Sequence, residues 1–330
     1  MGNGMYSHEA HAALTNARAR APREEVFRQS SCHPLMNPHG VRLRECRDSV
    51  DHPNSLGIAF ALDVTGSMGD IPEQLARQEL PKFMKALTQC GVVDPQVMFV
   101  AVGDANSDNA PLQVGQFEST AELMDKWLTS SFIERGGGGS GEESYELALY
   151  FLAEHTAMDC WEKRHKRGYA FLTGDELSYN SVARGHLERI FGDRADEDIP
   201  TDAVVAAVQV SFEPFFLIPD LARAQRCERH WRDLLGDHVI VMEDASDTCI
   251  VAAGAVALGE GLVKDIAALG PVLLSAGASP ERLPAVMRAL TPYAASLRRD
   301  GAPDPKPPKA HPGPNPGDGG GSWWKRLLGT

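Results

Sequence analysis

The feature that most constrains the fold is the run LGIAFALD (56–63), in which every residue before the final aspartate is apolar or glycine. A strand with one face in water alternates apolar and polar residues, so a continuous apolar run indicates a strand covered on both faces. Strands are also predicted over 96–105, 167–176, 214–219 and 237–244, with helical patterns between them. This alternation predicts an α/β fold with a doubly wound, mostly parallel, Rossmann-like sheet.

The segments between these strands predict the helices. Apolar residues recur at helical spacing over 72–91, where Pro81 is expected to kink the helix or to start a new segment. Further helices are predicted over 181–191 and, as one long apolar helix, over 247–269. Residues 279–300 predict one more helix or a helix pair.

Changes in composition predict four parts of the chain. Residues 1–54 are polar and are expected to form an N-terminal arm, and 55–269 form the α/β domain. Residues 270–300 are expected to form a C-terminal helical extension. The segment 301–330 begins with a stretch dense in Pro and Gly, which cannot bury a core and is therefore interpreted as a linker, and it ends in WWKRLLGT.

The end of this tail suggests a docking peptide. Tryptophan side chains dominate many protein interfaces, and a flexible tether raises the effective concentration of the segment near its target. The basic and aromatic mixture also leaves contact with a membrane surface open. The side chains expected to dock are Trp323, Trp324, Leu327 and Leu328.

Charge and cysteine content limit the possible functions. The formal net charge of −13 argues against a general nucleic-acid binder, which needs a basic surface for phosphates. No stretch approaches the length of a membrane-spanning helix, and the six scattered cysteines predict free thiols in a reducing compartment. We therefore expect a cytoplasmic protein without a membrane span.

Oxygen-bearing side chains follow two of the predicted strands and a glycine-rich loop. Because parallel strands present functional groups at their carboxyl ends, the three loops are expected to meet at one edge of the sheet. A hard cation such as Mg²⁺, or alternatively Mn²⁺ or Ca²⁺, prefers oxygen ligands of this kind. The side chains are Asp63, Thr65, Ser67, Ser140, Ser144, Thr173, Asp175 and Glu176.

These motifs resemble those of the von Willebrand factor A (vWA) domain, in particular a bacterial cytosolic type. That family carries D-x-S-x-S after its first strand, a Ser or Thr in a later loop and an Asp after its fourth strand, which form the metal-ion-dependent adhesion site (MIDAS). Here DVTGSMG, GGGGSG and FLTGDE follow in the same order. The carried-over ligands are Asp63, Thr65, Ser67, Ser140 and Asp175.

Two departures from the family pattern and one ambiguity affect this assignment. Thr65 replaces a serine but keeps the hydroxyl, and TGDE stands where the family usually has TDG, which displaces Asp175 by one residue. Ser144 lies one helical turn after Ser140 and is an alternative middle ligand.

The resemblance implies a vWA fold over 55–269 and a divalent-cation-dependent protein–protein binding module. Such an adaptor or scaffold captures a carboxylate of its partner through an open position on the cation and has no catalysis of its own. The implied partners are an AAA+ ATPase or the members of a multiprotein stress or defence system.

Two other functions stay open from the sequence. A first strand ending in Asp63 also fits a Mg²⁺-dependent phosphohydrolase, although Thr65 stands where such enzymes need a second Asp as acid and base. Alternatively, the site is vestigial and the tail alone binds. For the group Cys32, His33, His39, Cys46 and His52, ordinary loop residues are favoured over a zinc site because the spacing matches no common module.

Overall fold

A six-stranded sheet forms the centre of the computed structural model, which describes residues 6–136 and 139–299. The order across the sheet is β6-β5-β4-β1-β2-β3, and every neighbouring pair is parallel except β2 with the edge strand β3. The predicted α/β class with a mostly parallel sheet is confirmed. The strands are β1 (Leu56–Asp63), β2 (Pro95–Val102), β3 (Leu112–Val114), β4 (Gly168–Thr173), β5 (Phe212–Ile218) and β6 (Val239–Val241).

Ten helices of six residues or more surround the sheet in the described part of the chain. Shorter helical turns at 71–74, 75–79, 184–186 and 187–191 connect some of them. The ten are α1 (His8–Arg20), α2 (Leu80–Gln89), α3 (Ala121–Ser130), α4 (Tyr145–Glu154), α5 (Asp159–Arg164), α6 (Thr201–Ser211), α7 (Leu221–Leu235), α8 (Thr248–Gly259), α9 (Ile266–Ser275) and α10 (Leu283–Arg299).

The sheet is covered on both faces, as the continuous apolar strands predict. Successive side chains of a strand point to opposite faces, and Phe215 and Phe216 on β5 show where each face packs. The ring of Phe215 lies 4.9 Å from that of Tyr293 on α10, whereas Phe216 stacks at 3.8 Å on Trp231 of α7. Tyr145 on α4 packs edge-on against Phe216 and so belongs to the same face as α7. The fold is therefore doubly wound.

The prediction of a single helix over 247–269 is wrong. The chain forms α8 and α9 with a turn between them, because Gly261 adopts a positive φ of 65° that a helix cannot contain. Asp265 then starts α9 by accepting a hydrogen bond from the backbone N–H of Ala268 at 2.9 Å. The boundary expected between 269 and 270 falls inside α9.

The predicted break at Pro81 is confirmed. Residues 75–79 form a π-helical turn, and α2 begins at Leu80 with the proline in its first positions. Proline lacks an N–H and is tolerated at the start of a helix, where that group has no intrahelical partner. The helix predicted over 181–191 starts later, at Arg184, because Ser181 and Val182 pair with 199–200 as a short ladder.

The N-terminal segment packs against the sheet domain. Residues 44–46 pair in parallel with 156–158, and α1 packs on α3. His155 lies at this junction, with Nδ1 2.8 Å from the carbonyl oxygen of Val41 and Nε2 2.8 Å from a carboxylate oxygen of Asp193.

All six cysteines are free thiols, as the sequence predicts, and five of them are buried. Among the helices of the described ranges, none combines the length and the apolar character needed to cross a membrane.

A phenylalanine stripe across three strands makes the core sensitive to truncation. Phe171 is fully buried, pairs in register with Phe60 and Phe215, and contacts Phe83 edge-on. We expect Phe171→Ala to lower the free energy of unfolding by about 3–5 kcal/mol, since it removes buried area and leaves a cavity. Urea unfolding measures this loss. Val50→Ala is the control, because Val50 is 99% exposed; equal losses in both variants would contradict the packing.

Candidate metal centre

The candidate site lies at the carboxyl edge of the sheet, between β1 and β4. From β1 the chain continues to β2 on one side, and β4 is added later on the other side, so the strand order reverses here. Such a reversal opens a crevice at the carboxyl ends of the two strands. Asp63 is the last residue of β1, and Asp175 follows the end of β4 by two residues. The topology therefore brings two carboxylates from distant segments to one crevice.

The oxygens of four of the five predicted ligands form one continuous series of close contacts, in which each hydroxyl donates its proton to a carboxylate. Oγ1 of Thr65 donates to Oδ1 of Asp63 at 2.5 Å and lies 3.2 Å from Oγ of Ser67. Oγ of Ser67 donates to Oδ1 of Asp175 at 2.7 Å. Asp63, Thr65 and Asp175 are buried, and Ser67 is half-buried at the opening. We call these four residues the oxygen cluster.

The oxygens of the cluster match the ligands of a hard divalent cation in chemical type and in successive spacing. In an octahedral site with metal–oxygen distances near 2.1 Å, neighbouring oxygens are about 3.0 Å apart. The successive oxygens from Asp63 to Asp175 are separated by 2.5, 3.2 and 2.7 Å, close to that spacing. All the candidate ligand atoms are oxygens, which Mg²⁺, Mn²⁺ and Ca²⁺ prefer over nitrogen and sulfur. The cluster supplies two carboxylates and two hydroxyls, which leaves coordination positions for water or for a ligand.

The loop after β1 bends through two glycines. The backbone N–H of Gly66 donates to the carbonyl of Gly136 at 2.7 Å, and a β-carbon on Gly66 would lie only 3.1 Å from that oxygen. Gly69 adopts a positive φ of 59° at the end of the turn. The close approach at Gly66 and the left-handed φ at Gly69 both favour glycine, so this local part of the D-x-T-x-S motif folds as its sequence predicts.

Asp63 has its two carboxylate oxygens held from opposite sides. Oδ1 accepts the backbone N–H and the hydroxyl of Thr65, and Oδ2 accepts the phenol of Tyr145. Burial raises the pKa of Asp63 to about 7, although the bonds from Thr65 and Tyr145 favour the charged form. Burial, followed by the charge of Asp63, raises the pKa of Tyr145 well above its usual value, so this phenol remains a donor.

Tyr145 is a site residue that the sequence analysis missed. Its only signal is its place at the start of the helix after the glycine loop, together with the need of a buried phenol for an acceptor. The position of Gly174 makes room for it, because a β-carbon there would overlap the Tyr145 hydroxyl. The order TGDE, which departs from the family pattern, thus places a glycine where Tyr145 reaches Asp63.

Ser140, the predicted middle ligand, lies outside the oxygen cluster. Its side chain is exposed, and its hydroxyl bonds to the backbone carbonyl of Glu142 at 3.1 Å. Gly139 and Gly141, on either side, have positive φ values and turn the chain away from a strand or helix at this point. The alternative, Ser144, is buried, but its hydroxyl accepts the backbone N–H of Ala105 at 2.9 Å. These bonds of the two serines go to the backbone and not to the oxygen cluster, and Tyr145 reaches Asp63 from this side.

Asp175 is held by an arginine that the sequence analysis also missed. Nε of Arg223, in the first turn of α7, donates to Oδ2 of Asp175 at 3.0 Å. One Nη of the same guanidinium donates to the carbonyl of Ser67 at 3.1 Å, and the other pairs with Asp220. Arg226 lies further out, 3.7 Å from Asp175 Oδ2. Oδ1 of Asp175 is thereby oriented towards Ser67.

Glu143 adds a buried carboxyl group whose charge interacts with that of Asp63. Residues 142–143 pair with 177–178, which ties the glycine-rich segment to the chain after β4. Burial, followed by the charges of Asp63 and Asp104, raises the pKa of Glu143 to about 9. Glu143 is therefore protonated at neutral pH and adds no negative charge to the site.

The His, Cys, Asp and Glu side chains elsewhere in the described ranges do not gather in groups of three or more that could hold a metal ion. The oxygen cluster is not such a group, since it has only two carboxylates. Its two hydroxyl groups, as candidate metal ligands, distinguish it from a site made of histidine, cysteine and carboxylates.

Comparison with known proteins finds remote similarity in solved structures alone. No protein-family model matches the chain, and no curated protein matches it. Among solved structures it is similar to the pilus adhesin SpaC from Lactobacillus rhamnosus GG, with 11% identity over 64% of this chain and 31% of that one, at a TM-score of 0.45. Proximal thread matrix protein 1 from the mussel byssus shows 14% identity over 63% and 47%, at 0.40.

A second structure of the mussel protein, with a zinc-occupied MIDAS motif, shows 13% identity over 63% of this chain and 47% of that one, at a TM-score of 0.40. The chain spans less than half the length of each of these proteins.

The space around Gly174 gives a test of the Tyr145–Asp63 contact. We expect Gly174→Ala to displace the Tyr145 phenol and to lower the free energy of unfolding by about 1–3 kcal/mol, as overpacking in a well-packed core does. Thermal and urea unfolding measure the loss. Gly185→Ala is the control, since nothing lies within 4 Å of a β-carbon there. If Gly174→Ala were as stable as this control, the close approach of Tyr145 would be wrong.

The raised pKa of Glu143 predicts a pH-dependent stability. The folded state keeps a proton between the usual pKa of 4.5 and about 9, where the unfolded chain has lost it, so this group reduces stability as the pH rises through that window. Glu143→Gln removes the effect. We expect the variant to exceed the parent in stability by at least about 1 kcal/mol at pH 9, with a smaller difference at pH 5. Glu122→Gln, at an exposed position, is the control; the prediction fails if both variants show the same pH profile.

Proposed function

We propose that this protein is a divalent-cation-dependent protein-binding module of the vWA type, which captures an acidic side chain of a partner at the oxygen cluster. Asp63, Thr65, Ser67 and Asp175 would hold the cation, with Mg²⁺ as the first choice and Mn²⁺ or Ca²⁺ as alternatives. The observation that supports the proposal most strongly is the continuous chain of oxygens, spaced by 2.5–3.2 Å, that joins two loops at the switch point of the sheet.

The residues of the cluster would have different roles in binding the cation. A bound dication would supply positive charge and a free coordination position for a carboxylate. Asp63 and Asp175 bring the negative charge, whereas the hydroxyls of Thr65 and Ser67 bring oxygen without charge. Asp63 and Thr65 are buried, so Ser67 marks the side from which a partner approaches. Tyr145 and Arg223 orient the two carboxylates from outside the cluster.

The further proposals concern partners and location. The adaptor would act in the cytoplasm beside an AAA+ ATPase or within a multiprotein stress or defence system, as its resemblance to vWA proteins implies. The tail residues Trp323, Trp324, Leu327 and Leu328 would provide a second docking segment; they lie outside the described residues.

The environment of Asp63 favours binding over phosphoryl transfer. A nucleophilic carboxylate needs an oxygen that reaches the phosphorus, but Asp63 is buried with both oxygens accepting hydrogen bonds. Thr65, at the position of the acid and base, has no proton to exchange near neutral pH. A Mg²⁺-dependent phosphohydrolase is therefore the weaker candidate. Hydrolysis of a panel of phosphate esters that disappears in Asp63→Asn would support it.

Asp63→Ala tests the cation site directly. A ligand that binds only the folded state stabilises it, by about 2.7 kcal/mol at one hundred times its dissociation constant. We expect Mg²⁺ or Mn²⁺ to raise the melting temperature of the parent and to leave that of Asp63→Ala unchanged, because one of the two carboxylates is lost. Asp51→Ala removes an exposed acid and should respond like the parent. The same melting shift in parent and Asp63→Ala would refute the site.

Affinity capture from a native lysate, with and without a chelator, tests the binding function. Proteins that the parent retains only with the cation, and that Asp63→Ala does not retain, would support the module. A parallel capture with residues 301–330 deleted separates the two docking elements. Undiminished capture by this truncation would exclude the tail as the main binding segment, and complete loss would exclude the oxygen cluster acting alone.

A further inference from the structure

The guanidinium of Arg223 joins three separate parts of the site. It donates to Asp175 after β4, to the Ser67 carbonyl after β1, and to Asp220, the N-terminal cap of α7. Charge-assisted bonds of this kind are short and directional. Arg223 is therefore part of the architecture around the proposed cation site.

The two oxygens of Asp175 have different partners. Oδ1 accepts from Ser67 inside the oxygen cluster, and Oδ2 accepts from Arg223 on the outer side. A cation held by Oδ1 leaves the ion pair at Oδ2 in place, so the arginine and the cation can share one carboxylate. Two positive groups on one carboxylate repel each other, and burial strengthens the repulsion because Asp175 is fully screened from water.

The charges around Asp175 determine how strongly its carboxylate can attract a cation. When both carboxyl groups are ionised, the cluster has two negative charges, on Asp63 and Asp175, and Arg223 offsets part of the second. Asp220 in turn offsets part of the charge of Arg223, because it pairs with another nitrogen of the same guanidinium. The negative charge available to a cation therefore depends on how Arg223 divides between Asp175 and Asp220. Arg226, which lies 3.7 Å from the same oxygen of Asp175 and is more exposed, offsets a smaller part.

We propose that Arg223 is a built-in counter-cation that determines the strength of cation binding at the oxygen cluster. It weakens binding of the cation alone and leaves a bound cation short of negative charge, so that an acidic side chain of the partner completes the site. This inference rests on the proposed function and adds the coupling between the cation and an acidic partner. Arg223 acts through Asp175 and is a positioning residue.

Titration with Mn²⁺ alone, followed by the electron paramagnetic resonance signal of the free ion, tests the proposal without a partner. We expect Arg223→Gln to bind Mn²⁺ about tenfold more tightly than the parent, because a unit charge close to the site is removed. Arg223→Lys keeps the charge but not all three bonds of the guanidinium, and it should stay within about threefold of the parent because the charge sets the affinity. Arg232→Gln, on the same helix and paired with Glu228, is the matched control and should not change the affinity.

Asp220→Asn tests the opposite direction. Asparagine still caps α7, but the whole charge of Arg223 then acts on Asp175, so Mn²⁺ should bind about tenfold more weakly than in the parent. Loss of folding alone cannot raise the affinity in one variant and lower it in the other. Thermal unfolding of each variant confirms that the folded protein is titrated.

The outcomes separate this inference from the proposed function. If the parent does not bind Mn²⁺, or if Asp63→Ala binds it equally well, the proposed function fails and this inference fails with it. If the parent binds through Asp63 but Arg223→Gln binds with unchanged or weaker affinity, only the role of Arg223 is refuted. Equal tightening in Arg223→Lys and Arg223→Gln would also refute it, because the charge is then irrelevant.

Discussion

A buried carboxylate at the end of the central strand is the constraint on which the rest of the site depends. Asp63 lies at the exit of β1, where water does not reach it, and a carboxylate there needs donors for both oxygens. Thr65 supplies two donors from the following turn, and Tyr145 supplies the third from another helix. Both residues must therefore be placed accurately, and the loop after β1 and the start of α4 are fixed relative to each other.

The sheet makes this arrangement possible because its strand order reverses beside β1. The loops after β1 and β4 are far apart in sequence but leave adjacent strands in the same direction. Their side chains meet although the connecting loops are short. The single turn after β1 places Ser67 within hydrogen-bond distance of Asp175. Parallel pairing thus determines which residues meet, and the local turn with Gly66 and Gly69 determines how closely.

The parts of the site that could be predicted are those encoded locally. An apolar strand ending in Asp63, two hydroxyls at alternate positions and an acid after β4 are visible in the sequence, and the sheet brings them together. Tyr145 and Arg223 could not be found in this way, because their roles depend on the packing of α4 and α7 against the sheet. The position of Ser140 could not be predicted for the same reason, since the sequence of a glycine-rich loop does not determine its path.

Secondary structure shows the same limit. The apolar pattern over 247–269 is continuous. The break between α8 and α9 comes from Gly261 and from the cap at Asp265, and the apolar periodicity contains no information about either.

Helix α7 connects the site to the hydrophobic core. Trp231 stacks on Phe216 at 3.8 Å, packs edge-on against Tyr145 and donates its Nε1–H to the carbonyl of Glu176 at 3.0 Å. Two turns earlier on the same helix, Arg223 holds Asp175. The helix therefore contacts Tyr145, which orients Asp63, through an aromatic ring, and it contacts Asp175 through an ion pair. A shift of α7 along its axis would move both contacts together. The geometry of the oxygen cluster therefore depends on the packing of α7.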